Sequence, residues 1–323
     1  MRSANVFARL ALASLFAIVS AHAAQPASYP DRPIRLVIGS APGSGPDIIS
    51  RALSERLWKN WNQRVVVDAR PGVAGAISAE IVSRSLPDGY TWMMLTSQLF
   101  VATDVYPDLK FNLDKDFASI TLIGTVPFVL VVHPDVPAKS IRELIDLARK
   151  TQLRYGSAGA GASEHLSGFM FTRLTGTEML HVPYKGVPQA IADTMAKEVH
   201  LTYAVLPAVQ PMIQAGRVRP LGVTTPKRAA LLPDVPAIGE VVPGYQMFGW
   251  YSLVAPTGTP TAILDKINAE SVKAIKDPEL TQQLKTLGVE IAAGSRADLD
   301  AFRRDERKRI SELVKALGGV DLK

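Results

Sequence analysis

The residues best placed to do chemistry in this chain are small and mostly uncharged. Ser40-Ala41-Pro42-Gly43-Ser44-Gly45-Pro46-Asp47, Arg70-Pro71-Gly72-Val73-Ala74-Gly75 and Ser157-Ala158-Gly159-Ala160-Gly161-Ala162-Ser163 each follow a short apolar run and precede a helical pattern. A turn so placed offers unpaired backbone N–H groups and the positive end of a helix dipole, and both favour negative charge. Taken singly, each is a tight turn built from residues that turn easily. Three of them, divided between two α/β units, point to binding of an anion. Asp47 fits two roles equally, as a helix-start residue and as a ligand contact.

The common catalytic signatures are missing. There is no Gly-x-Ser-x-Gly elbow, no His-Glu-x-x-His and no Walker loop, and the run Gly159-Ala160-Gly161-Ala162-Ser163-Glu164 lacks the third glycine of a dinucleotide fingerprint. Cysteine is absent, which removes disulfides, thiolate catalysis and Cys-ligated metals together. His133, His165, His181 and His200 are far apart without ligand-like pairing, so they read as packed or surface residues. No cofactor or metal is expected, and the chain reads as a binder rather than an enzyme. The rival reading is an exported hydrolase using Ser97 or Ser157 with a distant histidine, which the spacing does not otherwise support.

The elements that must position these turns follow from periodicity. Ile34 to Gly39 reads as a buried strand, Asp47 to Asn60 as a helix, Arg64 to Asp68 as a strand, Ala76 to Ser85 as a helix, and Thr91 to Thr96 as a strand. Strands and helices alternating at this length imply parallel pairing with right-handed crossovers. After an irregular stretch around Tyr106 to Lys115 comes an apolar run from Ile120 to Val132. A second alternating set follows: a helix to Lys150 opened by Ser140-Ile141-Arg142-Glu143, a strand ending near Tyr155, a helix from Ser163 to Leu174, a strand at Met179 to Val182, a helix at Pro188 to Ala196, and strands at Leu201 to Val205 and Arg219 to Val223. Leu232 to Pro243 is a Pro-rich connector, and Phe248 to Ala255 is long enough to pass between units. Three helices close the chain, started by Thr259-Pro260, Asp277-Pro278 and Ser295-Arg296-Ala297-Asp298. Two runs crossing between two units suggest a hinge.

At 323 residues, with 47% hydrophobic and 20% charged residues, the chain has enough apolar material for about two domains, which excludes disordered and low-complexity classes. The first 23 residues have the parts of a secretory signal: basic Arg2 and Arg9, an apolar run from Leu10 to Ser20 too short to span a bilayer comfortably, and Ala21-His22-Ala23, with cleavage expected after Ala23. Of 36 basic residues, losing Arg2 and Arg9 leaves 34 against 30 acidic ones, a mild net +4. The basic run Arg303-Arg304-Asp305-Glu306-Arg307-Lys308-Arg309 is interrupted by acids and has no interleaved aromatics, so it reads as a solvated helix face and no nucleic-acid partner is expected.

An ordered series of short motifs then gives a resemblance. It runs through Tyr29-Pro30-Asp31-Arg32-Pro33-Ile34-Arg35, Pro42-Gly43 with Asp47, Arg70-Pro71-Gly72 with Gly75, Pro87-Asp88-Gly89-Tyr90-Thr91, Asp116-Phe117, Val136-Pro137-Ala138-Lys139-Ser140, the loop from Ser157 to His165 with Leu166 and Gly168, His181-Val182-Pro183-Tyr184-Lys185-Gly186, Leu232-Pro233-Asp234-Val235-Pro236 and Ala255-Pro256-Thr257-Gly258-Thr259-Pro260. The chain resembles the Bug-type solute-binding receptors of tripartite tricarboxylate transporters over essentially its whole length after the signal. The resemblance implies an α/β, two-lobed periplasmic binding fold of type II, each lobe a doubly wound, mostly parallel sheet flanked by helices. Residues 24–126 with 248–323 would form the first lobe and residues 127–247 the second. The lobes would close on a small organic carboxylate in the periplasm and deliver it to the membrane permease subunits, with the receptor a monomer. An orphan receptor that presents its ligand to a sensor protein is left open.

By position, the resemblance assigns ligand binding to Gly43, Ser44, Gly45 and Asp47 from the first lobe and to Ser157, Gly161, Ala162 and Ser163 from the second. Thr96 and Ser97 match a further cleft-lining position, and Ala204 and Val205 stand where the family often has a polar pair. Ser44 replaces a glycine, Ala69 an asparagine and Phe169 a glutamate common in the family. A less polar cleft favours a dicarboxylate or aromatic carboxylate over an amino acid. Gln98, Phe100 and Trp250 could line its apolar part, although Phe100 and Trp250 fit an ordinary core equally well.

Overall fold

β1 (Ile34–Ile38) is a run of apolar residues around one arginine, and four of its five positions are buried. It pairs in parallel with β2 (Val65–Ala69) on one side and β3 (Thr91–Thr96) on the other. Parallel neighbours need crossovers, here α1 (Gly45–Trp61) and α2 (Ala76–Ser83). Ile49, Leu53 and Leu57 recur every fourth residue on α1 and make its buried face, Pro46 sits in its first turn, and Asn62 ends it in the left-handed region at φ 53°. The computed structural model describes residues 29–106 and 108–316, so the signal segment and its cleavage site lie outside the described residues. Residues from Arg32 onward form one compact unit.

β3 runs directly into α3 (Ser97–Val105), a helix the sequence pattern does not announce. Leu99, Phe100, Val101 and Ala102 are all buried, so the helix has no polar stripe to set its period. The apolar run that follows forms one strand, β4 (Phe117–Val132), buried at all but two of its 16 positions. After α4 (Ile141–Lys150) come β5 (Leu153–Ser157), α5 (Ser163–Thr175), β6 (Met179–Pro183), α6 (Val187–Met195), β7 (Leu201–Val205), α7 (Leu206–Gln214) and β8 (Arg219–Val223). α7 also escapes the pattern, because Pro207 and Pro211 punctuate it. β9 (Phe248–Pro256), α8 (Thr261–Ile275), α9 (Pro278–Thr286), the two-residue β10 (Glu290–Ile291) and α10 (Arg296–Ala316) complete the described residues. Two of the start signals are side-chain caps: Glu143 N–H donates to Ser140 Oγ, and Asp277 accepts from Glu279 and Leu280 N–H, whereas α8 starts at Pro260 without one.

The strands are ordered β2-β1-β3-β9-β4-β7-β5-β6, with β8 and β10 also on β4. Two parallel sets, β2-β1-β3 and β6-β5-β7, are joined by antiparallel strands. β4 pairs with β9 as far as Pro127 and with β7 and β8 from Phe128 onward. Phe128 N–H donates to Thr224 Oγ1 at 3.0 Å and Met247 N–H to the Thr224 carbonyl at 2.9 Å, so one threonine ties both chain crossings. The two lobes therefore share two strands.

Each lobe has its own core. Val37, Met93, Leu95, Phe100, Trp250 and Leu299 belong to the first, and Leu130, Tyr155, Phe171, Tyr203, Leu221 and Tyr245 to the second. A third cluster draws Val101, Ile310 and Val314 together with Phe128, Leu166 and Met247, and so spans both. The basic run on α10 is only partly a solvated face. Arg303 is buried and donates to the Phe117 carbonyl, Ser119 Oγ and the Leu113 carbonyl, pinning the irregular stretch before β4.

Candidate functional site

The turn after β1 is shaped by contact between two backbones. A Cβ added at Gly39 would lie 2.5 Å from Gly75 Cα, so the first turn abuts the second, glycine on glycine. The second turn passes Gly72, Val73, Ala74 and Gly75 all at positive φ, and two of those residues are not glycine. Within the first turn, Asp47 Oδ2 accepts from Gly43 N–H at 3.0 Å and the carboxylate is paired with Arg51. Burial alone would raise the Asp47 pKa, but the Arg51 guanidinium and the Gly43 N–H hold it below the ordinary value. Asp47 is thus an ionised carboxylate that fastens its own turn. Ser44 Oγ is buried with no hydrogen-bond partner among the described residues.

The turn after β5 is fastened without charge. Ser157 Oγ lies 2.6 Å from His181 Nε2 and accepts from Gly159 N–H at 3.0 Å, while Gly161 N–H donates to His165 Nδ1 at 3.0 Å. The imidazoles of His165 and His181 stack at 3.8 Å between centroids and 9° between planes, with the Tyr155 ring 5.1 Å from His181. Burial pushes His165 down to about 4; burial, with the neighbouring His165, pushes His181 down to about 3. Both rings are therefore neutral near pH 7. A serine and a histidine do meet here, but Ser157 is fully buried and a base at about 3 does not take a proton from a hydroxyl. The pair is a brace for the turn, not a nucleophile.

Tyr251 on β9 brings the separate pieces together. It pairs with Thr96 across the β3–β9 ladder. A Cβ added at Gly45 would meet the Tyr251 hydroxyl at 3.0 Å and Val205 Cγ2 at 4.0 Å. Across the lobes, Glu164 acts electrostatically on the same tyrosine, and Tyr106 Oη donates to the Ala160 carbonyl at 3.2 Å. The starts of α1, α3 and α5 thus come near one side chain, with the end of β7 beside the first of them. First-turn N–H groups of a helix have no acceptor within it, so these starts bring such donors close to one region.

Glu164, in the first turn of α5, is 4% exposed, and its Oε2 has no hydrogen-bond partner among the described residues. Burial raises its pKa to about 7.

Of the residues assigned by position, Gly45 lies against the Tyr251 hydroxyl, Val205 lies beside Gly45, Thr96 pairs with Tyr251 across the ladder, and Ser97 and Ser163 open α3 and α5. Gly43, Ser44 and Asp47 shape the first turn; Ser157, Gly161 and Ala162 shape the other. Ala204 packs its side chain in a further cluster with Val129, Val131 and Val209, since neighbours on a strand face opposite ways, so it is Val205 whose side chain lies beside Gly45. Phe100 and Trp250 are core as well. They pack edge to face at 4.9 Å, and Trp250 Nε1 donates to Glu306 at 3.0 Å. The same alternation that places Trp250 inward places Tyr251 toward the turns, a signal available in the sequence. Glu164 had a signal too, as a lone carboxyl beside Ser163 in a run of small and apolar residues.

A family model described as "Tripartite tricarboxylate transporter family receptor" matches residues 49–319. The chain is 35% identical over 89% of its length to a UPF0065 protein from the tcbD-tcbE intergenic region of Pseudomonas sp. strain P51, covering 87% of that protein. Among solved structures it is similar to Rpa4515 of R. palustris with adipate, at 34% identity and a TM-score of 0.86 over 90% of this chain and 99% of that one. It is also similar to the periplasmic binding protein BugD, at 30% identity and 0.82, over 90% and 99%.

Proposed function

The chain belongs to the family of tripartite tricarboxylate transporter receptors, and from that premise we propose that it captures a small organic dicarboxylate between its two lobes and delivers it to the membrane permease of such a transporter. Members of this family are periplasmic solute-binding receptors and not enzymes. In this reading residues 1–23 direct export, residues 24–126 with 248–323 form the first lobe, residues 127–247 form the second, and movement occurs where β4 and β9 cross between them.

The observation that carries the reading is the meeting of the α1, α3 and α5 starts around Tyr251. One carboxylate would take donors from Ser44 Oγ and Gly45 N–H in the turn that Gly43 shapes, since Gly43 N–H is engaged by Asp47 and Ser44 N–H by the Ala41 carbonyl. The other would take donors from Ser163, in the turn whose Gly161 and Ala162 N–H groups are engaged by His165 Nδ1 and the Gly159 carbonyl, with Thr96 and Ser97 between them. Val205, beside Gly45, offers apolar surface to a methylene chain, and a similar receptor has been solved with adipate. Closing the lobes would remove competing water from fixed donors, which strengthens each interaction with the anion.

Thermal unfolding with adipate, shorter dicarboxylates, benzoate, amino acids and a neutral sugar tests this. A ligand at about 100 times its dissociation constant stabilises by roughly 2.7 kcal/mol, a shift of a few degrees at this size. Shifts confined to carboxylates are expected, largest for a dicarboxylate. A shift by the sugar alone would remove the reading.

A further inference from the structure

Resting on that reading, we infer that Glu164 is the specificity-determining residue of the candidate site: in its neutral form it donates a hydrogen bond from its carboxyl O–H to an ionised carboxylate of the solute, so a fully ionised dicarboxylate is bound only with a proton held on Glu164. Three observations point there. The side chain is 4% exposed, yet Oε2 has no hydrogen-bond partner among the described residues, which a fold tolerates poorly unless something else satisfies it. The carboxyl stands in the first turn of α5, among the N–H groups that would hold an anion, and acts on Tyr251 across the lobes. Tyr251 in turn lies against Gly45 in the opposite turn. A second unpartnered oxygen, Ser44 Oγ, belongs to that same turn.

Charge decides what Glu164 can do there. An ionised carboxylate would repel the second carboxylate that the helix starts attract. A neutral carboxyl turns the same atoms into a donor, which suits an anion and gives no fixed charge to an ammonium. Burial supplies the neutral form, with a pKa raised to about 7.

The surroundings leave that proton change isolated. The elements packed against α5 bring Tyr155 from β5, His181 from β6 and Tyr203 from β7, with Tyr251 from β9 and His165 on α5 itself. The tyrosines are all pushed upward by burial, and the histidines downward to about 4 and about 3. All five groups are neutral from about pH 5 to 9. Asp104 on α3 is held by Arg307 and Ser311. Asp47 and Arg51, on the facing turn, stay charged as a pair.

The test is calorimetric titration of the whole protein with adipate from about pH 5.5 to 9, in buffers of differing ionisation enthalpy. Expected is a dissociation constant that rises roughly tenfold per pH unit above about pH 7, with proton uptake growing from near zero toward about one per adipate. Glu164→Gln, which keeps a neutral donor, should give a dissociation constant that does not change with pH and no proton uptake. The wild-type proton count stands alone if that variant folds poorly. Adipate binding with a flat profile and no uptake overturns the inference and leaves the functional reading in place. Affinity that rises with pH also overturns it, since Glu164 would then be accepting from the ligand. If neither adipate nor a shorter dicarboxylate binds at any pH, the functional reading fails and takes the inference with it.

Discussion

The turns after β1 and after β5 occupy matching places in the two lobes and are fastened by different chemistry. In the first, an ionised Asp47 is paired with an Arg51 whose side chain is 58% exposed. In the second, Ser157, His181 and His165 form an uncharged chain of contacts in the interior. An ion pair near solvent keeps its charges until acid reaches the lowered carboxylate pKa, and it is screened by salt. Neutral buried rings ignore salt, and they fail when they must take up protons. The difference teaches that glycine-rich turns ahead of a helix can be stiffened by opposite means, and that each means leaves its own signature in pH and salt.

Acid should produce the largest effect, and it should fall on the second lobe. His165 is lowered from 6.5 to about 4 in the fold, so below about pH 6.5 the unfolded chain binds protons that the folded chain does not. Its stabilising contribution is complete above that pH and is lost as pH falls toward about 4. At ~1.4 kcal/mol per pKa unit this is on the order of 3 kcal/mol, and His181 acts in the same direction. Glu164 has the opposite sign. Raised from 4.5 to about 7, it stabilises the fold below about pH 4.5 and loses that contribution as pH rises through about 7. The comparison is therefore cleanest in Glu164→Gln, whose unfolding midpoint in urea should drop steeply between about pH 6.5 and 4, with a shallower fall in the wild type. Equal slopes in the two proteins would mean that Glu164 does not titrate as its burial requires, and a flat variant would mean that the rings do not.

Much of this frame is legible in the sequence. The alternation of apolar runs with capped helices gives both α/β sets, and the glycine runs mark the turns that face the candidate site. What escapes is what periodicity cannot carry. α3 carries four consecutive buried apolar residues, Leu99 to Ala102, and α7 is interrupted by prolines, so neither shows a helical stripe. The antiparallel pairing of β4 with β9, β7 and β8 is settled by long-range register. At the candidate site, spacing picks out the turns but not which atoms within them are free. Ser157 and Asp47 look like contacts in the sequence, yet each is already engaged within its own turn. Glu164 and Tyr251 carry weaker signals, a lone carboxyl in a run of small and apolar residues and the alternation of β9, and neither says that the two act on each other.

A smaller effect should come from the backbone contact that only the first turn has. Gly39→Ala would place a methyl 2.5 Å from Gly75 Cα and 2.8 Å from Ser78 Oγ, and Gly75 cannot move without moving the strained second turn. Overpacking of this kind costs about 2 kcal/mol. It should also weaken adipate binding, because Gly39 leads into the turn that carries Gly43 to Gly45. The corresponding change in the other lobe, Gly159→Ala, meets only the Tyr184 carbonyl, at 3.5 Å, so its cost would come from a φ of 121° rather than from crowding. A Gly39→Ala protein with unchanged urea midpoint and affinity would show that the two first-lobe turns are not mechanically joined.

The smallest effect separates the two roles that Asp47 could have. Asn in its place still accepts from Gly43 N–H but gives up the ion pair with Arg51. Because Arg51 is largely solvent-exposed, that pair is worth at most about 1 kcal/mol, and the loss should shrink as salt screens the wild type toward the variant. Affinity for adipate gives the sharper answer. If Asp47 only fastens its turn, Asp47→Asn removes a negative charge from beside an anion site, and binding should hold or tighten. If the carboxylate touches the ligand instead, through a hydroxyl or an ammonium, binding should weaken by about tenfold or more, the scale of one charged hydrogen bond. That loss would make the first turn a polar contact surface rather than a braced cradle, and the two lobes would then differ in what they recognise as well as in how they are held.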